Sequence, residues 1–173
     1  MSAPDNPLPL LFLDVDGPLI PFGTRPGGHR TFPPGPVPPG AAAHPLLDRV
    51  DPSLGARLGA LPCTLVWATT WEAEANTVLA PRLGLPVLQV VAWPDSPGQE
   101  ARDARAGLHW KTRTLVERAD GRPFAWVDDE IGEPDRRWVA ARHGAPALLH
   151  RVDPLLGLTA GGLGLIEAWL RSV

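Results

Sequence analysis

The feature that most constrains this chain is a regular alternation along it. Five short apolar runs recur: Leu10–Leu13, Cys63–Ala68, Pro86–Val91, Phe124–Val127 and Ala147–Leu149. Each has the length of a buried strand, and none alternates polar with apolar as a strand with one wet face would. Helical segments separate them. Leu46, Leu47, Val50, Leu54, Leu58 and Leu61 keep helical spacing over 45–60, with Pro52 as a break point. Glu72–Ala80 predicts a helix that stops near Pro81 and Gly84, and His109–Ala119 predicts one with Leu115 and Val116 turned inward. Pro134–Arg142 predicts a third, with Gly144 as its C-cap, and Leu163–Leu170 a last one. Strands alternating with helices predict an α/β fold, a five-stranded parallel sheet with helices on both faces. The length of 173 residues fits one domain over 1–173.

Two stretches break the alternation. Residues 18–45 hold many of the 22 prolines and 18 glycines and show no period. They read as an irregular loop, partly polyproline over 33–40, and loops of this length in compact domains often serve as flaps over a site. Pro94–Gly107 is polar and is expected to be a loop. The net charge of −3 gives no electrostatic signal for a nucleic-acid or anionic-membrane partner. No apolar run approaches the roughly 20 residues of a membrane span. Cys63 is the single cysteine and reads as a small buried hydrophobe. With no signal-peptide pattern at the start, the chain is expected to be cytoplasmic.

In open parallel sheets, ligands sit beyond the carboxyl ends of the strands. There the sequence sets Asp14 and Asp16 after the first strand, Thr69 and Thr70 after the second, and Asp128 and Asp129 after the fourth. Lys111 opens the helix leading into the fourth strand. Crowded carboxylates repel and need a cation. An all-oxygen set suits Mg²⁺. With Mg²⁺ and Lys111 to stabilise phosphoryl oxygens, one Asp can attack phosphorus and a second can handle the leaving group's proton. Each element alone also fits a plainer role. Asp-Val-Asp-Gly fits a turn, Thr69 and Thr70 a strand end or helix cap, Lys111 a solvated lysine, and Asp128-Asp129-Glu130 an acidic helix start. A calcium loop fits poorly, because the position that requires Glu is Arg25. The ordered combination at strand ends is what favours phosphoryl chemistry.

On these residues the chain resembles the haloacid dehalogenase-like (HAD-like) superfamily. Leu10–Gly17 is similar to its first motif, an apolar strand followed by Asp-x-Asp-Gly, and Leu65–Thr69 to its second. Lys111 fits the third motif and Phe124–Asp129 the fourth. The resemblance implies a three-layer Rossmann-like fold with strand order 5-4-1-2-3. It implies Asp14 as nucleophile and Mg²⁺ ligand, and Asp16 as general acid/base and main-chain ligand. Thr69, or Thr70 if the strand ends one residue later, would bind phosphoryl oxygens. Lys111 would neutralise nucleophile and phosphate, and Asp128 with Asp129 would complete the metal site. Haloacid dehalogenases proper lack the second Asp, which disfavours carbon–chlorine hydrolysis.

Relatives often carry an inserted cap domain. The intervals here are too short for one, so a capless or minimally capped phosphatase is expected. The resemblance then implies a Mg²⁺-dependent phosphomonoester hydrolase working through an aspartyl phosphate. Its partner would be a phosphorylated small molecule, protein or nucleic-acid end, and an open site leaves room for completion by another subunit. Phosphoryl transfer as in a phosphomutase, or a HAD-like binding module without turnover, are the competing readings. Of the seven tryptophans, Trp67, Trp126 and Trp169 read as core. Trp71 and Trp110 flank Thr69 and Lys111, and Trp71 offers a stacking face to a base or aromatic group. Arg25, His29 and Arg30 are solvated loop residues that can reach an anion.

Overall fold

The structure is a computed structural model that describes residues 7–33, 35 and 44–173. Five strands make one all-parallel sheet: β1 (Leu10–Leu13), β2 (Thr64–Trp67), β3 (Gln89–Val90), β4 (Phe124–Asp128) and β5 (Ala147–Arg151). Their order is β3-β2-β1-β4-β5, as expected. β1 is central, and all four of its side chains are buried because helices cover both faces.

Side-chain alternation sends successive residues of β1 to opposite layers. Leu11, Leu13, Trp67, Ala125 and Val127 pack with α1 (Ser53–Gly59), α2 (Glu74–Leu83) and α6 (Ala160–Leu170). Leu10, Phe12, Val66, Phe124 and Trp126 pack with α4 (Thr112–Ala119) and α5 (Glu133–Arg142). Trp67 and Trp126 are fully buried, one in each layer. Complete burial of a large apolar side chain contributes about 1.5–3 kcal/mol. Gly55 lets α1 cross the end of α2, since a Cβ there would stand 1.6 Å from the Leu83 carbonyl oxygen.

Several expectations change. Pro94–Gly107 is not a loop throughout: Pro97–Arg105 forms a helix, α3. Its sequence is rich in helix formers, with Pro97 at the first turn, but it has no apolar stripe. Its buried residue is Asp103, which pairs with Arg113 of α4, so an ion pair replaces the usual apolar face. The helix expected over 45–60 is a 3-10 turn (Leu47–Arg49) and then α1, because Val50 is extended and Pro52 restarts the helix. α2 begins at Glu74 and runs through Pro81 to Leu83, ending on the left-handed Gly84. α5 ends on an extended His143, and Gly144 is not left-handed. The third strand shrinks to the two residues that pair with Val66 and Trp67. Cys63 is half-buried beside the core, and burial pushes its thiol up to about 12.

Residues 21–33 carry no helix or strand. They are tied down by Phe32 N–H to Asp48 O (2.7 Å) and by Arg49 to Pro21 O (2.9 Å). Apart from Pro33 and Gly35, the polyproline reading of 33–40 lies outside the described residues. Among the described residues, the interval between β1 and β2 holds the 3-10 turn and α1, and that between β3 and β4 holds α3 and α4. No helix among them is long and apolar enough to cross a membrane.

Candidate active site

The register of β1 against β4 builds the site. Leu13 pairs with Val127, and the Asp14 N–H donates to the Val127 carbonyl at 3.1 Å. Asp14 and Asp128 are therefore neighbours across the ladder, although 114 positions separate them in sequence. Both lie on the face that carries Phe12 and Trp126, the face covered by α4.

Lys111 reaches up from the start of α4 to both. Its Nζ lies 3.1 Å from Asp14 Oδ2 and 2.8 Å from Asp128 Oδ2, and it is itself buried. Asp128 is fully buried and well supplied with donors. Besides Lys111 it accepts from the Trp126 indole (3.2 Å) and from the Glu130 N–H (3.0 Å). Trp126, expected to be core alone, thus also holds an aspartate two residues along its own strand. Strand period 2 is the signal that could have revealed this.

Asp129 closes the cluster. Gly17, at φ +92°, lies directly beneath it, and a Cβ on Gly17 would meet Asp129 Cγ and Oδ1 at 2.7 Å. The turn containing Gly17 is fixed by bonds from Gly17 N–H to Ile20 O and from Leu158 N–H to Pro18 O. Donor oxygens of Asp14, Asp128 and Asp129 lie within 4.8 Å of one another. Burial pushes the Asp14 carboxyl up from 3.8 to about 7; the Lys111 charge opposes the rise and that of Asp128 adds to it. Asp129 is raised for the same first reason, burial, with Asp128 next. Three carboxylates thus crowd one another, and a single lysine pairs with two of them. The oxygen-only donor set and the uncompensated charge fit a hard divalent cation.

Asp16 is half-buried at the rim, and its Oδ2 accepts from the Trp71 indole at 3.0 Å. Trp71 is therefore a partner of Asp16, packed against the core and beside His44, rather than a free stacking face. Thr69 is fully buried, and its hydroxyl oxygen accepts the Trp71 N–H at 3.2 Å, which leaves the hydroxyl proton to donate. Thr70 is exposed. Arg25, His29 and Arg30 border a separate cavity of about 200 Å³ with Arg49 and Leu155.

Two positioning residues escaped the sequence reading. Asp135 is buried near the start of α5 and accepts from the His109 N–H (2.8 Å), Thr112 Oγ1 (2.6 Å) and the Gly132 N–H (2.8 Å). His109 Nδ1 in turn accepts the Lys111 N–H at 3.1 Å. The approach to Lys111 is thus pinned to α5. An acid three residues after Gly132 is a helix-start signal that could have pointed to Asp135, but its bond to the 109–112 segment is a tertiary fact.

A parallel α/β sheet with an acidic cluster and one lysine at its carboxyl edge defines a HAD-like protein. Residues 10–161 match the family described as the HAD domain in Swiss Army Knife RNA repair proteins, and the chain belongs to that family. The HAD class carries chemistry of the hydrolase and phosphotransferase type, and HAD domains generally use Mg²⁺. No curated protein and no solved structure matches the chain.

Proposed function

We propose that this chain removes phosphate from the phosphorylated ends of nucleic acid, RNA foremost, as a Mg²⁺-dependent phosphomonoesterase with Asp14 as nucleophile. The observation that carries the reading is Lys111 bridging Asp14 and Asp128 inside a three-carboxylate cluster. The family's description, which names RNA repair proteins, supports the choice of substrate.

Asp14, Asp128 and Asp129, with the main-chain oxygen of Asp16, would hold Mg²⁺, which when bound supplies positive charge to the phosphoryl oxygens. Lys111 keeps the Asp14 carboxylate oriented and adds a second positive charge beside the transferring group. An Asp14 carboxylate oxygen forms a bond to phosphorus while the ester oxygen of the end leaves with a proton from Asp16. Asp16, held by the Trp71 indole, then takes a proton from water, whose oxygen attacks the aspartyl phosphate. Inorganic phosphate leaves and Asp14 is regenerated. The Thr69 hydroxyl, already oriented by the Trp71 N–H, donates to a phosphoryl oxygen, with Thr70 as the exposed second donor at the same turn.

Oligoribonucleotides bearing a 3′- or a 5′-phosphate provide the test, with Mg²⁺ or with chelator. Phosphate release is expected only with Mg²⁺, and Asp14→Asn is expected to lower it by on the order of 10⁴-fold or more. Release that survives Asp14→Asn would remove Asp14 from its role. No release from either end would remove the phosphatase reading.

A further inference from the structure

Across Trp93 and Trp110 from the acidic cluster lies a cavity of about 610 Å³, within the range of about 300–1,000 Å³ typical of small-ligand clefts. Trp93, Pro94, Gln99, Arg102, Trp110 and Arg113 are among its walls. It lies between the segment after β3, α3 and the start of α4. We propose that this cleft receives the terminal nucleobase of the phosphorylated end, stacked on Trp110 with Trp93 as the side wall. The inference rests on the phosphatase reading above and names the group that the enzyme recognises next to the phosphate.

Four observations carry it. First, Trp110 alone among the seven tryptophans is exposed, at 38 %. Second, it is not solitary: its ring stands 4.7 Å from that of Trp93 at 69°, so the face of one ring meets the edge of the other. His109 stacks on Trp110 as well, at 5.6 Å and 29°, so what a base can meet is the exposed part of the ring that lines the cleft, with Trp93 as a wall to stop against. Third, both rings are wired to the catalytic residues. The Trp93 indole donates to the Thr69 carbonyl at 3.0 Å, and Lys111 Nζ lies 5.4 Å from the Trp110 ring centre and 3.1 Å from Asp14. A base on Trp110 is thus within one nucleotide's span of the nucleophile. Fourth, the cleft offers a second phosphate no net positive charge, since its wall carries Arg102 and Arg113 against Glu100, Asp103 and Glu117. The Arg113 guanidinium is spent on Asp103, with contacts of 2.8 and 3.2 Å, and lies over Trp138 at 5.0 Å. Its hydrogen bond holds the Asp103 carboxyl below the usual range, so the pair stays ionised and mutually neutralised. Among these balanced charges lies aromatic surface with amide and hydroxyl groups at its edge, which suits a flat, neutral, hydrogen-bonding ring.

The test compares phosphorylated single-stranded oligoribonucleotides whose terminal nucleotide either carries its base or is abasic. Binding is read by anisotropy from a dye at the far end, with Mg²⁺ present and with Asp14→Asn as parent, so that no turnover intervenes. The parent is expected to favour the base-bearing end roughly 5- to 150-fold, the worth of one base on an aromatic ring. Adding Trp110→Ala should bring that ratio close to one, and Trp110→Phe should retain most of it. Equal binding of both ends by the parent, a ratio untouched by Trp110→Ala, or no binding of either end would overturn the proposal. Nucleoside monophosphates against ribose phosphate form a further arm. The same preference there means that a single nucleotide suffices, whereas equal binding means that the cleft does not read the terminal base. These ratios are equilibrium measurements on an inactivated parent, so they stand apart from whether wild type releases phosphate.

Discussion

Two regions meet at Trp110-Lys111 and are built on opposite principles. At the ends of β1 and β4, charge is buried: Asp14, Asp128 and Asp129 crowd around Lys111 with little solvent. One residue back in the chain, Trp110 borders an open cleft whose wall mixes aromatic surface with charges of both signs. A buried charge without its partner costs several kcal/mol, so each charged group must be placed by strand register and a packed helix start. An aromatic face stacks on any flat ring and tolerates some displacement. On the proposed function, chemistry therefore belongs on the central strands, and recognition on the more loosely specified segment that follows β3.

Among the changes that set the two regions apart, taking the lysine out of the charged region has the largest expected effect. Lys111→Met should lower turnover on every phosphorylated end by about 10²–10³-fold. In the metal-free protein it should also cost about 3–5 kcal/mol of stability, because two buried carboxylates lose their cation. Denaturant titration beside an end-labelled assay measures both. A variant that merely changed which ends are preferred would erase the distinction between the two regions.

A second, smaller effect concerns protons. The folded protein holds Asp14 at about 7 against 3.8 in an ordinary carboxyl, so folding favours its protonated form. That contribution to stability is complete below 3.8 and is lost as pH rises through about 7. A cation bound by Asp14 competes with the same proton. Mg²⁺ should therefore raise the melting temperature more at about pH 8 than at about pH 5. Thermal melts with and without Mg²⁺ would reveal this, and a gain independent of pH would count against Asp14 as a ligand.

The smallest effect sharpens the packing side. Gly17→Ala forces a Cβ against Asp129 and a side chain into positive φ. It should cost about 1–3 kcal/mol and weaken Mg²⁺ binding while leaving the aromatic cleft intact. Calorimetric Mg²⁺ titration checks the first region, and the base-bearing to abasic binding ratio checks the second. If that ratio changed together with the Mg²⁺ affinity, the two regions would be a single unit.

Much of this is legible in the sequence. The apolar runs ending in Asp14, Thr69 and Asp128 mark three strands and the sheet edge where the acidic cluster lies, because burial on both faces leaves short runs without polar alternation. The order β3-β2-β1-β4-β5 agrees with the order that the superfamily resemblance implied. α3 was not legible, since a polar helix held by an ion pair carries no apolar period for a reader to find. Trp71 was legible as a neighbour of the site but not in its role. Its side chain was free to face substrate, core or Asp16, and only packing beside His44 turned its N–H onto the carboxylate.

The sequence by itself determined the layering, the parallel sheet and the identity of the charged side chains at its edge, because those follow from local periodicity and strand length. Tertiary structure alone decided which groups share a hydrogen bond, a lysine or a face. The register of β1 on β4 brings together residues more than a hundred positions apart. Asp135 pins the approach to Lys111, and the crossing of Trp93 with Trp110 makes a cleft. Distances between side chains depend on how whole elements dock, and no short stretch of chain carries that information.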